Sequence, residues 1–219
     1  MDLTKYTHAT VALTKQVDGH TRTLLIDPGT YTPNTADLLK AADAVLITHE
    51  HPDHFDADAL RAALDARDEL QVYGPPAIAT ALPAHPDQVH AITAGQTIDA
   101  AGFSIVATTG DHATIHPEIP LVDNIGYLVD DTVFHPGDAY LRPEHAVDVL
   151  LLPVSGPWIS TEAAIDYVRD IKPRRAIAIH DIMLSDMGKT STARFLGEES
   201  LTATPLAVLE VGESTTLQG

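Results

Sequence analysis

Two hydrophobic periods alternate along the chain. Residues 7–14 carry β-branched side chains in loose alternation. Residues 21–26 repeat the pattern beyond Asp18-Gly19, a hairpin turn signal, so two antiparallel strands are expected near the start. The second strand ends at Asp27-Pro28-Gly29. Residues 36–42 read as a short helix with Thr35 as N-cap. Residues 44–48 form a continuous apolar run, the mark of a strand covered on both faces. In residues 56–69, Leu60 and Leu64, with Leu70 just beyond, recur at helical spacing behind an acidic first turn.

The same alternation continues to the end. A strand is expected at 70–73 and a helix at 75–82 opened by Pro75. Strands follow at 88–92, 96–99, 102–109, 125–129, 132–135 and 147–152. A helix at 162–171 stops at Lys172-Pro173, and an apolar strand at 175–179 ends on His180. Segments 206–211 and 215–217 read as closing strands. No repeat or Gly/Ser linker divides the 219 residues, so one α/β domain spanning 1–219 is expected, strand-rich in two halves with helices outside a pair of sheets.

Composition narrows the chemistry. Apolar residues make up 44% and charged residues 20%, an ordinary globular balance. The formal charge of −18 argues against a nucleic-acid footprint and against an anionic membrane surface. The absence of cysteine removes disulfides, thiolate nucleophiles and Cys-ligated metal clusters. With no leader pattern and no long apolar span, a soluble, cytoplasmic protein is expected. The unusual feature is the count of 12 histidines, nearly equal to the 13 Lys and Arg.

Four potential ligands fall within six residues in His49-Glu50-His51-Pro52-Asp53-His54, directly after the strand at 44–48. In extended chain His49 and His51 face one side. Asp53 and His54 follow Pro52, where the chain turns, and address a neighbouring position. Two adjacent cations would divide the four more readily than one. His112, Asp138 and His180 each lie at or just after a predicted strand end, the edge where α/β proteins commonly place their sites.

This set resembles the signature of the metallo-β-lactamase fold superfamily. The supporting segments occur in order: Leu25-Ile26-Asp27-Pro28-Gly29, the histidine cluster, His112, Gly137-Asp138 and His180. The resemblance implies a four-layer αβ/βα sandwich with a dinuclear metal site between the sheets. It implies that His49, His51 and His112 hold one cation, that Asp53, His54 and His180 hold a second, and that Asp138 bridges them. Asp53 and Asp138 take the catalytic carboxylate roles, and Asp27 orients a ligand from behind. Phe55-Asp56-Ala57 after the cluster, where glycine is usual, shifts the resemblance toward the small-hydrolase branch that includes ascorbate-6-phosphate lactonase.

Zn2+ suits a donor set of histidine and carboxylate, and Mn2+ or Fe fit it too. The implied function is hydrolysis of a small-molecule ester, lactone or phosphoester. The alternatives are a non-catalytic metal-binding or partner-binding module on the same fold, a nuclease-type phosphodiesterase, and a di-iron redox protein using Glu50. The partner expected is a small-molecule substrate, not nucleic acid or membrane; homo-oligomerisation is compatible with the sequence. His116 rivals His112 as ligand. His135 and Trp158 are read either as neighbours of the site or as packed residues. His8, His20, His85, His90 and His145 are read as surface or structural.

Overall fold

The computed structural model describes residues 1–93 and 95–217; Ala94, Gln218 and Gly219, which the expected 1–219 domain includes, lie outside the described residues. The first half contains strands β1 (Asp2–Lys5), β2 (Val11–Val17), β3 (His20–Ile26), β4 (Ala44–Leu46), β5 (Gln71–Gly74) and β6 (Val89–Ala91). Helices α1 (Thr35–Ala41), α2 (Ala57–Ala66) and α3 (Pro76–Ala81) lie among them. The second half contains β7 (Thr97–Ala100), β8 (Phe103–Asp111), β9 (Asp123–Val129), β10 (Val133–His135), β11 (Val149–Pro153), β12 (Arg175–Ile179), β13 (Leu206–Ala207) and β14 (Ser214–Thr216). Helices α4 (Thr161–Ile171) and α5 (Asp186–Leu196) flank β12.

Each half builds a seven-stranded mixed sheet, in the orders β14-β1-β2-β3-β4-β5-β6 and β13-β12-β11-β10-β9-β8-β7. The last strand crosses back to complete the first sheet beside β1. Strands β3 to β6 run parallel, as do β10 to β13. The C-terminal ends of the two parallel runs carry the loops rich in histidine and aspartate.

Three buried clusters make the layers. Leu3, Leu13 and Ile26 of the first sheet meet Phe103, Ile105 and Tyr127 of the second in the central cluster. On the outer face of the first sheet, Leu25, Val45 and Val72 pack on Leu39, Leu60, Leu64 and Ile78 of the three helices. On the outer face of the second, Leu150 and Leu152 pack on Ala164, Tyr167 and Val168 of α4 and Leu196 of α5. This is the expected αβ/βα sandwich: strands buried on both faces, read in sequence as unbroken apolar runs.

Several boundaries differ from expectation for local reasons. Asn34, not Thr35, precedes α1; the Thr35 hydroxyl instead donates to the carbonyls of Thr32 and Gly29. Helix α2 starts at Ala57 because the Asp56 carboxylate caps Ala59 N, and it ends at Ala66, short of the expected 69. Strand β1 and helix α5 are additional to the expected elements, and the strand expected at 206–211 pairs only over Leu206–Ala207.

Candidate metal centre

The site begins with Asp27, which follows β3 in a left-handed conformation (φ 52°). Its buried carboxylate accepts from Thr48 N at 2.8 Å, from Thr48 Oγ1 at 2.7 Å and from His54 Nδ1 at 2.7 Å. The Thr48 hydroxyl, having donated its proton to Asp27, accepts from His49 Nδ1 at 3.0 Å. One carboxylate thus fixes the tautomers of two histidines, turning both Nε2 atoms toward a common space. The loop after β3 approaches the ligand segment so closely that a Cβ on Gly29 would stand 1.9 Å from Asp53 O.

His49, His51 and His112 come together: their ring centroids are 4.7–5.1 Å apart. His112 sits at the end of β8, and its Nδ1 donates to Ala113 O at 2.7 Å. His180 ends β12 in a left-handed conformation (φ 57°), with Nδ1 donating to Ser155 O. Asp138 follows the Pro136-Gly137 turn. Its Oδ1 is 3.1 Å from His54 Nε2, and its Oδ2 is 2.9 Å from His180 Nε2 and 3.5 Å from His112 Nε2. Asp138 N donates to Asn124 Oδ1, and Trp158 Nε1 donates to Asp138 Oδ2 at 3.1 Å. The turn needs glycine: Gly137 has φ 66°, and a Cβ there would meet Asn124 Oδ1 at 2.1 Å. Asp53 Oδ2 is 3.7 Å from both His54 Nε2 and His180 Nε2.

Hydrogen bonds as well as apolar contact tie the two sheets at this edge. Ile125 N donates to Thr48 O, Tyr127 Oη donates to Ile47 O, and His180 N donates to His8 O. Ligand segments from both halves are therefore held in one frame.

All seven expected ligands fall in three overlapping groups suited to a cation: His49, His51 and His112; His49, His54 and Asp138; and His8, Asp53, His54 and His180. The donor atoms fit such a group. Buried His49 Nε2, His54 Nε2, His180 Nε2 and Asp138 Oδ1 find no hydrogen-bond partner among the described residues. Some lie about 3 Å apart, yet out of line for hydrogen bonding. Atoms that crowd one point without pointing at each other suit a shared cation better than one another.

The protonation pattern agrees. Burial alone would push His54 down, but Asp138 and Asp27 outweigh it and hold its pKa well above the histidine range. Burial likewise opposes the charge on His180, and Asp138 and Asp53 raise it to about 9. Burial opposes ionisation of Asp53 and Asp138, yet the surrounding histidines hold both carboxyls well below their usual range. Desolvation pushes buried His49 well below the histidine range and also lowers His8 and His135. In the metal-free fold the two ionised carboxylates are balanced by protons held on His54 and His180, protons that a divalent cation taken up there would displace.

Other expectations sort plainly. His116 is exposed, with Nδ1 accepting from Glu118 N, and stands outside the three groups. Glu50 is exposed and also outside them. His135 is packed at the end of β10, where it bonds Ala9 O and Gly137 N, 3.7 Å behind Asp27. Trp158 touches the site through Asp138. Of the two readings made of His8, burial excludes the surface one: it is packed against Asp53 and His180. A signal for it was present. A two-residue turn at Asp18-Gly19 pairs Val17 with His20, and the register carries Val11 opposite Ile26. The residues before Val11 must then lie beside Asp27.

Comparison with known proteins agrees with this geometry. A family model described as the β-lactamase superfamily domain matches residues 2–180. Protein Rv0786c of Mycobacterium tuberculosis is 38% identical over 172 residues, covering 76% of this chain and 79% of its own. A protein of Thermoplasma volcanium named UPF0173 metal-dependent hydrolase is 26% identical over 210 residues, covering 90% of this chain and 92% of its own. The solved structure of Igni18, described as a metallo hydrolase of Ignicoccus hospitalis, superposes with a TM-score of 0.74 at 24% identity, over 100% of this chain and 98% of that one. With the two-sheet sandwich and the histidine- and aspartate-rich loops along one edge, the chain belongs to the β-lactamase superfamily domain family and has the metallo-β-lactamase fold.

Proposed function

We propose that this protein is a metal-dependent hydrolase of a small-molecule ester, lactone or phosphoester, working with two divalent cations. The carrying observation is the set of buried, partnerless atoms: Nε2 of His49, His54 and His180, and Oδ1 of Asp138. Left bare, each would cost about 1–3 kcal/mol. His49, His51 and His112 would hold one cation, Asp53, His54 and His180 the other, with Asp138 between them. Zn2+ fits these donors, as do Mn2+ and Fe. Such cations supply a hydroxide nucleophile at neutral pH and offset the charge that develops on a carbonyl or phosphoryl oxygen.

The chain's own residues do the rest. Asp27 and Thr48 keep the protons of His49 and His54 on Nδ1, so both Nε2 lone pairs face the site. Trp158 holds Asp138 in one orientation. His51 and Asp53 are the members of the set that solvent reaches, so substrate arrives from their side. Lys5 and Lys189 are engaged with Asp181, which leaves few cations to recognise a phosphate and favours an ester or lactone. The resemblance to the lactonase branch rests on Phe55-Asp56-Ala57.

The test is a panel of lactones, thioesters and phosphodiesters, run with metal-loaded and chelator-stripped protein. Lactone or ester hydrolysis that disappears on stripping and returns with metal is expected, with D138A inactive. Activity confined to RNA, or retained by D138A, would contradict the proposal; metal uptake without turnover across the panel would favour the binding-module alternative.

A further inference from the structure

His8 lies in the loop between β1 and β2 in a left-handed conformation (φ 62°) and is 1% exposed. Its carbonyl accepts from His180 N at 2.9 Å. Its ring lies 3.7 Å, centroid to centroid, from that of His180, and its Nε2 is 3.1 Å from Asp53 Oδ2. The nearest ligand atoms of His8, Asp53, His54 and His180 are within 4.8 Å of one another. Distance alone does not separate a further ligand from a residue that holds one.

The far side of the ring does. A histidine that ligates through Nε2 almost always gives its Nδ1 proton to an acceptor. His54 gives it to Asp27, His180 to Ser155 O, His112 to Ala113 O and His49 to Thr48 Oγ1. Nδ1 of His8 is buried and finds no hydrogen-bond partner among the described residues. A proton placed there would be an orphaned buried donor. Carried on Nε2 it has an acceptor in Asp53.

We propose that His8 is a positioning residue for the second cation: its Nε2–H fixes the Asp53 carboxylate, and its ring and carbonyl fix His180, without ligation by His8 itself. The assignment rests on the two-cation reading above. A strained loop residue that contacts two ligands at once has a purpose a packing residue lacks.

The experiment is calorimetric titration of chelator-stripped protein with Zn2+, comparing wild type, H8A and H8Q, whose amide can donate to Asp53. In H8A the second equivalent should weaken about 10–100-fold while the first stays within about twofold. H8Q should recover most of that loss. Equal affinities in H8A and wild type would overturn the proposal, as would an equal loss at both sites, or a loss in H8Q as large as in H8A. Should H8A not fold, 15N NMR of the Zn-loaded wild type decides: the His8 ring should be the Nε2–H tautomer, and a proton or metal ion on the other arrangement refutes it. Wild type that takes up no metal would sink the hydrolase reading itself, whereas two equivalents in wild type with an indifferent H8A would sink only the role of His8.

Discussion

Asp27 carries more of the site than any other side chain that is not an expected ligand. It is fully buried and accepts three hydrogen bonds from Thr48 and His54. Asp27→Asn keeps the shape but turns an N–H2 group toward donors. A loss of about 1–3 kcal/mol in urea unfolding is expected, with metal affinity down about 10–100-fold by equilibrium dialysis. An unchanged affinity would mean that His54 is oriented by something else. At the same scale, protons and cations compete. Burial lowers His180, but Asp138 and Asp53 raise it to about 9 in the metal-free fold, against an ordinary value of 6.5. A folded value above the unfolded one stabilises fully below pH about 6.5, and that contribution is lost as pH rises through about 9. The melting temperature of stripped protein should therefore fall across that window. Metal uptake should release protons there and tighten as pH rises; heats of binding that do not vary with buffer ionisation enthalpy would show that these rings are already neutral in the stripped fold.

At the scale of elements, two contacts hold the sheets in register at the site. Tyr127 on β9 donates to Ile47 O just after β4, across the sandwich, at 2.8 Å. Tyr127→Phe leaves that carbonyl bare and should cost about 1–3 kcal/mol in urea unfolding. A cost near zero would mean another donor replaces it. The apolar runs that become β4, β11 and β12 were legible because strands buried on both faces have no polar positions to blur them. Strand β1 was not. Its sequence Asp-Leu-Thr-Lys hides its inward face, since Lys5 is buried by pairing with Asp181 at 3.0 Å, a contact 176 positions away. Helix α5 was illegible because it buries only Leu196 and shows no apolar stripe. The candidate cluster was readable from the density of histidine and aspartate and their placement at strand ends. His8 was harder to read: only the β2–β3 register, which sets the residues before Val11 beside Asp27, pointed to it, because its partners come from β4–α2 and β12.

At the scale of the molecule, the binding centre lies where the two halves meet, so metal and global stability are linked. Each site filled to about 100 times its dissociation constant adds about 2.7 kcal/mol. For a chain of this size two such sites raise the melting temperature on the order of 10–20 °C. Differential scanning fluorimetry of stripped and Zn-loaded protein checks this, and coincident curves would mean that the cluster engages no cation in the folded state. Among the described residues no helix is long and apolar enough to cross a membrane. In a chain of formal charge −18, one edge gathers imidazoles around two carboxylates.

The measurement that bears most directly on the account is the number of divalent ions each chain holds. Elemental analysis after Zn2+ loading and gel filtration should give two per chain in wild type, one in H51A and one in H180A. Fewer than one per chain in wild type, or two retained in both variants, would contradict it.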